Sequence, residues 1–189
     1  MFGKVLVPTD FSEYSKKTIV CLTVIPGITE VVLQHVVDAT RHTRHGWTHQ
    51  AHIENARIQL EEEKKFLEHL GFVVRGNVDA ITSGDIPAAI LTKAGCENVL
   101  SIIIGSRGRG LVKGLLPGSV SADILRHGKT HLLIFRHSLA DAEDISLILM
   151  SSHGKGLLTE LLVGSTILGV AIHTNRPLMV IRTPGKPRK

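Results

Sequence analysis

Gly105-Ser106-Arg107-Gly108 is followed, after nine residues, by Gly118-Ser119. Gly105 comes directly after Ile102-Ile103-Ile104, an apolar run that reads as a strand, and Gly118-Ser119 opens a helical stretch. Glycine at a strand end lets the backbone approach a ligand closely and take φ > 0. A helix start adds free N–H groups and the positive end of the helix dipole. The Ser119 hydroxyl supplies one more donor. Donors converging from a loop and a helix start suit a chain of phosphates. The same spacing also suits an ordinary tight strand-to-helix loop with glycine caps, and the residues alone leave both open. Arg107, Arg109 and Lys113 either add charge against phosphates or are solvated loop cations. Two better-known phosphate motifs are absent. No G-x-x-x-x-G-K-[ST] occurs, and Gly108-x-Gly110-x-x-x-Gly114 misses G-x-G-x-x-G by one residue.

The elements that must position this loop follow from the apolar pattern. Lys4 to Pro8 reads as a buried strand stopped by proline. Thr9-Asp10-Phe11-Ser12-Glu13 supplies turn and cap chemistry for a helix over about 13–23. Asp10 on this reading is a turn or capping residue. A second strand spans Glu30 to Val37, and the polar, His- and Arg-rich stretch Asp38 to His52 reads as a loop leading into a helix. An amphipathic helix covers Ile53 to Leu70, closed by Gly71 as its C-cap. Phe72 to Ile81 is a third strand, and Ser83-Gly84-Asp85 caps a helix with Pro87 in its first turn. Val99 to Ile104, a helix over 118–127 and His131 to Phe135 complete five strands. The alternation implies a five-stranded parallel sheet with right-handed crossovers and helices on both faces, an α/β fold of Rossmann-like type.

Residues 97–136 and 143–182 align at a constant offset of 46 without a gap, and 13 of the 40 pairs are identical. Among them are Gly108/Gly154, Gly110/Gly156, Gly118/Gly164, Ser119/Ser165, His127/His173 and Arg136/Arg182. The preceding 96 residues have no counterpart before the second copy. The expected organisation is a whole domain at 1–137, a short linker at 138–142, and an appended β-α-β half-unit at 143–183. Ser151 stands where the first copy has Gly105, and the half-unit lacks a Pro-Thr-Asp strand of its own. One competent site and one degenerate half-unit are therefore expected.

At 189 residues and 43% hydrophobic content the chain can bury a core, and with aromatics at 4% that core must be Leu, Ile and Val. Cys21 and Cys96 read as two buried, reduced thiols rather than a disulfide or metal pair. Met1 leads directly into the first strand, and no apolar stretch approaches the ~20 residues that span a bilayer. A soluble, cytoplasmic protein without membrane contact is expected. A formal charge of +5 permits an anionic ligand. Its dispersed basic residues and lack of interleaved aromatics argue against a nucleic-acid surface.

Val5-Leu6-Val7-Pro8-Thr9-Asp10-Phe11-Ser12, the strand ending His35-Val36-Val37-Asp38, and G-x2-G-x9-G-S at 105–119 together resemble the universal stress protein family. The resemblance covers residues 1–137 in full and 143–182 as a partial second copy. It implies the adenine-nucleotide alpha-hydrolase-like variant of the Rossmann-like fold and an ATP site. Pro8, Thr9 and Asp10 would lie by the base with Val36 and Ile104 beside it, and Gly105, Gly108, Gly118, Ser119 and Val120 would handle ribose and phosphates. It also implies a homodimer formed through the last strand, His131 to Phe135, or through the half-unit. That unit would either cover the strand edge within the chain or complete a partner's sheet. Mg²⁺ or Mn²⁺ would enter with the phosphates rather than through a protein cage.

His42, His45, His49 and His52 are spaced for one face of a helix and could bind a transition metal, but no Cys or carboxylate completes the set. They read instead as a solvated loop or helix start. Trp47 is a lid or interface contact, or is partly buried against the sheet. A hydrolase needs a positioned base or a metal held by carboxylates, and near the glycine loop only Asp10 offers one. The expected function is a regulatory, stress-response ATP binder without efficient turnover. The alternatives are an assembly protein with no nucleotide and a slow ATPase.

Overall fold

The computed structural model describes residues 2–40, 49–106, 118–136, 147–151, 165–174 and 176–182. The first strand, β1 (Gly3–Pro8), runs into helix α1 (Glu13–Cys21), which tightens into a 3₁₀ turn at Leu22–Val24. Ser12 caps α1 by accepting from the Ser15 amide at 3.2 Å, as its type and position predict. Strand β2 (Ile28–Asp38) is longer than expected, and helix α2 (His49–His69) begins before Ile53, so His49 and His52 are its first exposed turn. Gly71 closes α2 at φ +93, with Gly71 N–H donating to Glu68 O and Phe72 N–H to Leu67 O, a Schellman ending. Next come β3 (Val73–Ile81) and α3 (Ile86–Cys96), whose cap Asp85 accepts from the Ala88 amide at 2.9 Å. Strand β4 (Ser101–Gly105), helix α4 (Ser119–His127) and β5 (His131–Phe135) complete the first copy of the repeat. The second copy contributes β6 (Ile148–Ser151), α5 (Ser165–His173) and β7 (Leu178–Ile181). His42, His45, Trp47 and the linker 138–142 lie outside the described residues.

The seven strands among the described residues form one sheet in the order β3-β2-β1-β4-β5-β7-β6. The first five are parallel, as expected; β7 then pairs antiparallel with β5, and β6 parallel with β7. Strand alternation divides the core in two. Val5, Val7, Val31, Leu33 and Ile103 face α1 and α2, while Leu6, Val32, Ile102 and Ile104 face α3, α4 and α5. Helices therefore cover both faces. The thiols are free but not both buried: Cys21 is half-buried and Cys96 exposed. Cys96 ends α3, where the chain turns back toward the sheet, so its apolar neighbours in sequence do not enclose it.

The half-unit keeps the register of the first copy. Ile102 pairs with Leu132 in β4–β5, and Ile148 pairs with Leu178 in β6–β7, both displaced by 46. At the seam Leu133 pairs with Met179, its own repeat counterpart. A local two-fold axis therefore passes between these two residues. Side chains obey it as well. Arg136 donates from its guanidinium to Ala171 O at the end of α5, and Arg182 donates to Leu125 O at the end of α4. Ala171 is Leu125 displaced by 46. His127 and His173 likewise each turn Nδ1 to the carbonyl four residues back, at 3.1 and 2.8 Å. Burial pulls the Arg182 pKa down from its ordinary value, and its guanidinium lies at a helix C-terminus, where the dipole favours a cation.

Candidate functional site

The strand order runs outward from β1 through β2 to β3 and, on its other side, through β4 to β5. The order reverses between β1 and β4, where ligands of open α/β sheets bind outside the carboxyl ends of the strands. Pro8-Thr9-Asp10 and Gly105 are the residues at those two ends. The β1–α1 turn is tightly held. Thr9 N–H donates to Gln34 O at 2.8 Å, and His35 Nδ1 donates to Thr9 O at 2.8 Å. The Thr9 hydroxyl donates to Ser15 Oγ at 3.2 Å and accepts the Phe11 N–H at 3.1 Å. Asp10 accepts the Ser12 N–H at 3.1 Å, an Asx turn. Phe11 sits at φ +61 with its ring stacked on His35, centroids 4.3 Å apart. Thr9 thus spends its amide, carbonyl and hydroxyl on holding the turn.

Gly105 ends β4 and Ser106 follows it, buried. Ser106 N–H donates to Phe135 O, and Gly118 N–H returns to Ser106 O, both at 2.7 Å. The second bond ties the two ends of the glycine loop together, so the start of α4 stands directly beside the end of β4. Helix α4 begins at Gly118 with no side-chain cap, whereas Ser12 and Asp85 cap α1 and α3. Among the described residues no side chain caps its first-turn amides, and the dipole points the same way. Ser119 is exposed there. A cleft of about 390 Å³ opens at this end, lined by Ser83 to Pro87 from the β3–α3 turn and by Ser119, Val120 and Asp123 from α4.

The predicted site residues fall into groups. Ser119 and Val120 line the cleft. Val36, Ile104 and Val120 share the core cluster beneath α3 and α4 with Ile86, which also borders the cleft. Pro8, Asp10, Gly105 and Gly118 ring the crevice end of the sheet, while Thr9 sits behind it. Gly108, Arg107, Arg109 and Lys113 lie outside the described residues, as do Gly154 and Gly164 of the second copy. Two parts of the neighbourhood escaped sequence reading. Ser83-Gly84-Asp85 read only as a helix cap, yet it forms a wall of the cleft. Ser106 was legible as an identical pair with Ser152, though its role as the tie was not.

Glu63 gave no signal at all, because it belongs to a run of Glu and Lys that reads as a solvated helix face. Both its carboxyl oxygens are sealed from solvent without a hydrogen-bond partner among the described residues. Burial pushes its pKa up to about 7; the nearby Thr9 hydroxyl and Lys16 pull it down, and Asp10 adds to the rise.

The chain matches the Universal stress protein family over residues 1–136 and again over 137–182. It is 28% identical over 158 residues to Universal stress protein MJ0577 of Methanocaldococcus jannaschii, an alignment covering 72% of this chain and 96% of that protein. The solved MJ0577 structure superposes with a TM-score of 0.58 over 73% of this chain and 98% of that one. A universal stress protein from Archaeoglobus fulgidus, 19% identical, superposes with a TM-score of 0.70 over 96% of this chain and 97% of its own. A third, 16% identical and solved in complex with cAMP, covers 72% of this chain and 98% of its own at a TM-score of 0.52.

Proposed function

The chain belongs to the universal stress protein family, and from that premise we propose that it binds ATP at the β1/β4 crevice as a regulatory stress-response module without efficient turnover. The observation that carries this reading is the start of α4. Its uncapped amides are held beside β4 by the Gly118–Ser106 bond, which suits anionic oxygens. The apolar group Val36, Ile104 and Val120 offers a wall for the base, Asp10 a carboxylate for the nucleoside, and Gly105, Gly108, Gly118 and Ser119 a phosphate cradle. The cAMP complex of a distant relative is consistent with an adenine nucleotide as ligand in this fold. Mg²⁺ or Mn²⁺ is proposed to arrive with the phosphates. Asp85 and Asp123 border the cleft, but no group of three or more His, Cys, Asp or Glu among the described residues could hold a metal by itself. Binding without fast hydrolysis fits a turn in which Asp10 already accepts a backbone amide rather than standing as a free base.

The domain 1–137 is proposed to carry the nucleotide and the half-unit 143–183 to serve assembly. Since β7 already occupies the outer edge of β5, the homodimer we propose forms through the half-unit, at β6. No described helix is long and apolar enough to cross a membrane, and a cytoplasmic location is proposed with the function. Calorimetry with MgATP tests the central claim. Binding at micromolar to millimolar concentration, lost in Gly118→Val while the fold persists, supports it; no heat at millimolar MgATP sinks it.

A further inference from the structure

Glu63 of α2 reaches the back of the β1–α1 turn, on the face opposite the cleft. A buried carboxylate short of donors is costly to ionise: both Glu63 oxygens are buried with no hydrogen bond of full geometry among the described residues, and the Thr9 hydroxyl is the donor that acts on them. The groups around it are few. Thr9 and Asp10 come from the turn and Lys16 from α1; His35, from β2, is held by the Thr9 carbonyl and stacked on Phe11. Resting on the nucleotide reading above, we infer that Glu63 is a positioning residue for the site: it acts through Thr9 on the β1–α1 turn, which presents Asp10 to the nucleotide when the Glu63 carboxyl is protonated.

With Glu63 neutral, the Thr9 hydroxyl gives its proton to Ser15 and accepts the Phe11 amide, pinning Phe11 in its left-handed conformation. An ionised Glu63 needs a donor, and the Thr9 hydroxyl is the one beside it. Recruiting that proton breaks the Thr9–Ser15 bond. It also places a second negative charge near Asp10, behind the turn that presents it to the nucleoside. Nucleotide binding and ionisation of Glu63 therefore oppose each other, and by linkage affinity must fall as pH rises through about 7, the region where this carboxyl titrates.

The sign for stability is separate and needs no ligand. The folded state raises this carboxyl from 4.5 to about 7. The native state therefore binds more protons than the unfolded chain between those values, and stability declines across that window and is flat above it. Glu63→Gln keeps the shape of the neutral acid and removes the titration. The test is a pair of pH series on the full-length protein and on Glu63→Gln: calorimetric affinity for MgATP from pH 6 to 8.5, and thermal midpoint without ligand from pH 4.5 to 8. Relative to the variant, wild-type affinity should weaken about threefold or more toward pH 8.5. The variant should melt higher than wild type at pH 8, with the gap closing at pH 4.5. Parallel affinity curves with the predicted melting gap would overturn the coupling to the site while leaving the buried acid in place. Parallel curves in both series would overturn the inference entirely. Absence of MgATP binding in wild type at any pH would remove the nucleotide reading and this role with it.

Discussion

Phe11 takes φ +61, a conformation that costs an L-residue on the order of 1–2 kcal/mol. The cost is met locally by its amide bond to Thr9 Oγ1 and its stacking on His35. Strain of this kind gathers where a backbone must present a group, here Asp10. Glycine normally destabilises relative to alanine through chain entropy, but at a left-handed position the order inverts. Phe11→Gly should therefore be more stable than Phe11→Ala by about 1 kcal/mol, although both lose the ring; urea unfolding of the two variants measures it. The type and place of Asp10 and Ser12 made the turn legible. Glu63 was not legible, because only the tertiary path of α2 brings that carboxyl over Thr9.

Helix ends carry most of the chemistry at the next scale. Two helices start with side-chain caps and α4 does not, a contrast readable in Ser12, Asp85 and Gly118. Their C-terminal ends are another matter. Arg136 and Arg182 sit at the ends of strands, and nothing in their local sequence links them to Ala171 and Leu125 on helices of the opposite repeat. A cation on terminal carbonyls stabilises a helix end by satisfying orphan acceptors and opposing the dipole. Arg182→Met should cost about 1–2 kcal/mol and speed amide exchange in the last turn of α4 alone. Arg136→Met should do the same to α5 alone. Exchange that quickens equally in both helices would show that the arginines hold the seam in general rather than these particular ends.

The whole molecule is built around the local two-fold at Leu133 and Met179. An interface in which a surface meets its own copy is normally formed by two chains; here the repeat supplies both sides. This arrangement seals β5 and moves the sheet edge to β6. Leu147 and Leu149 are 52% and 64% exposed there, while their counterparts Ser101 and Ile103 are fully buried where β1 and α1 pack on β4. The opposite edge, β3, carries Arg75, Asn77 and Asp79, the charges and polar groups that discourage edge pairing, whereas β6 carries no charge and only Ser151 as a polar residue. If the proposed homodimer uses β6, Leu149→Lys should shift the chain to monomer in sedimentation without lowering its thermal midpoint. A variant that sediments as wild type would place the contact elsewhere or leave the chain monomeric.

The sequence by itself determined the local elements and their class. Apolar runs ended by Pro and Gly marked the strands, cap residues marked the helix starts, and the 46-residue offset marked the repeat with its missing first half. These are legible because period, turn chemistry and capping act between residues close along the chain. Tertiary structure alone decided where the half-unit goes, which way β7 runs, and which carboxyl lies behind Thr9. Those outcomes depend on contacts between distant segments. Antiparallel pairing on β5 buries Leu178, Met179 and Val180 against strands already in place, and no pattern within 143–182 distinguishes that edge from the edge of another chain.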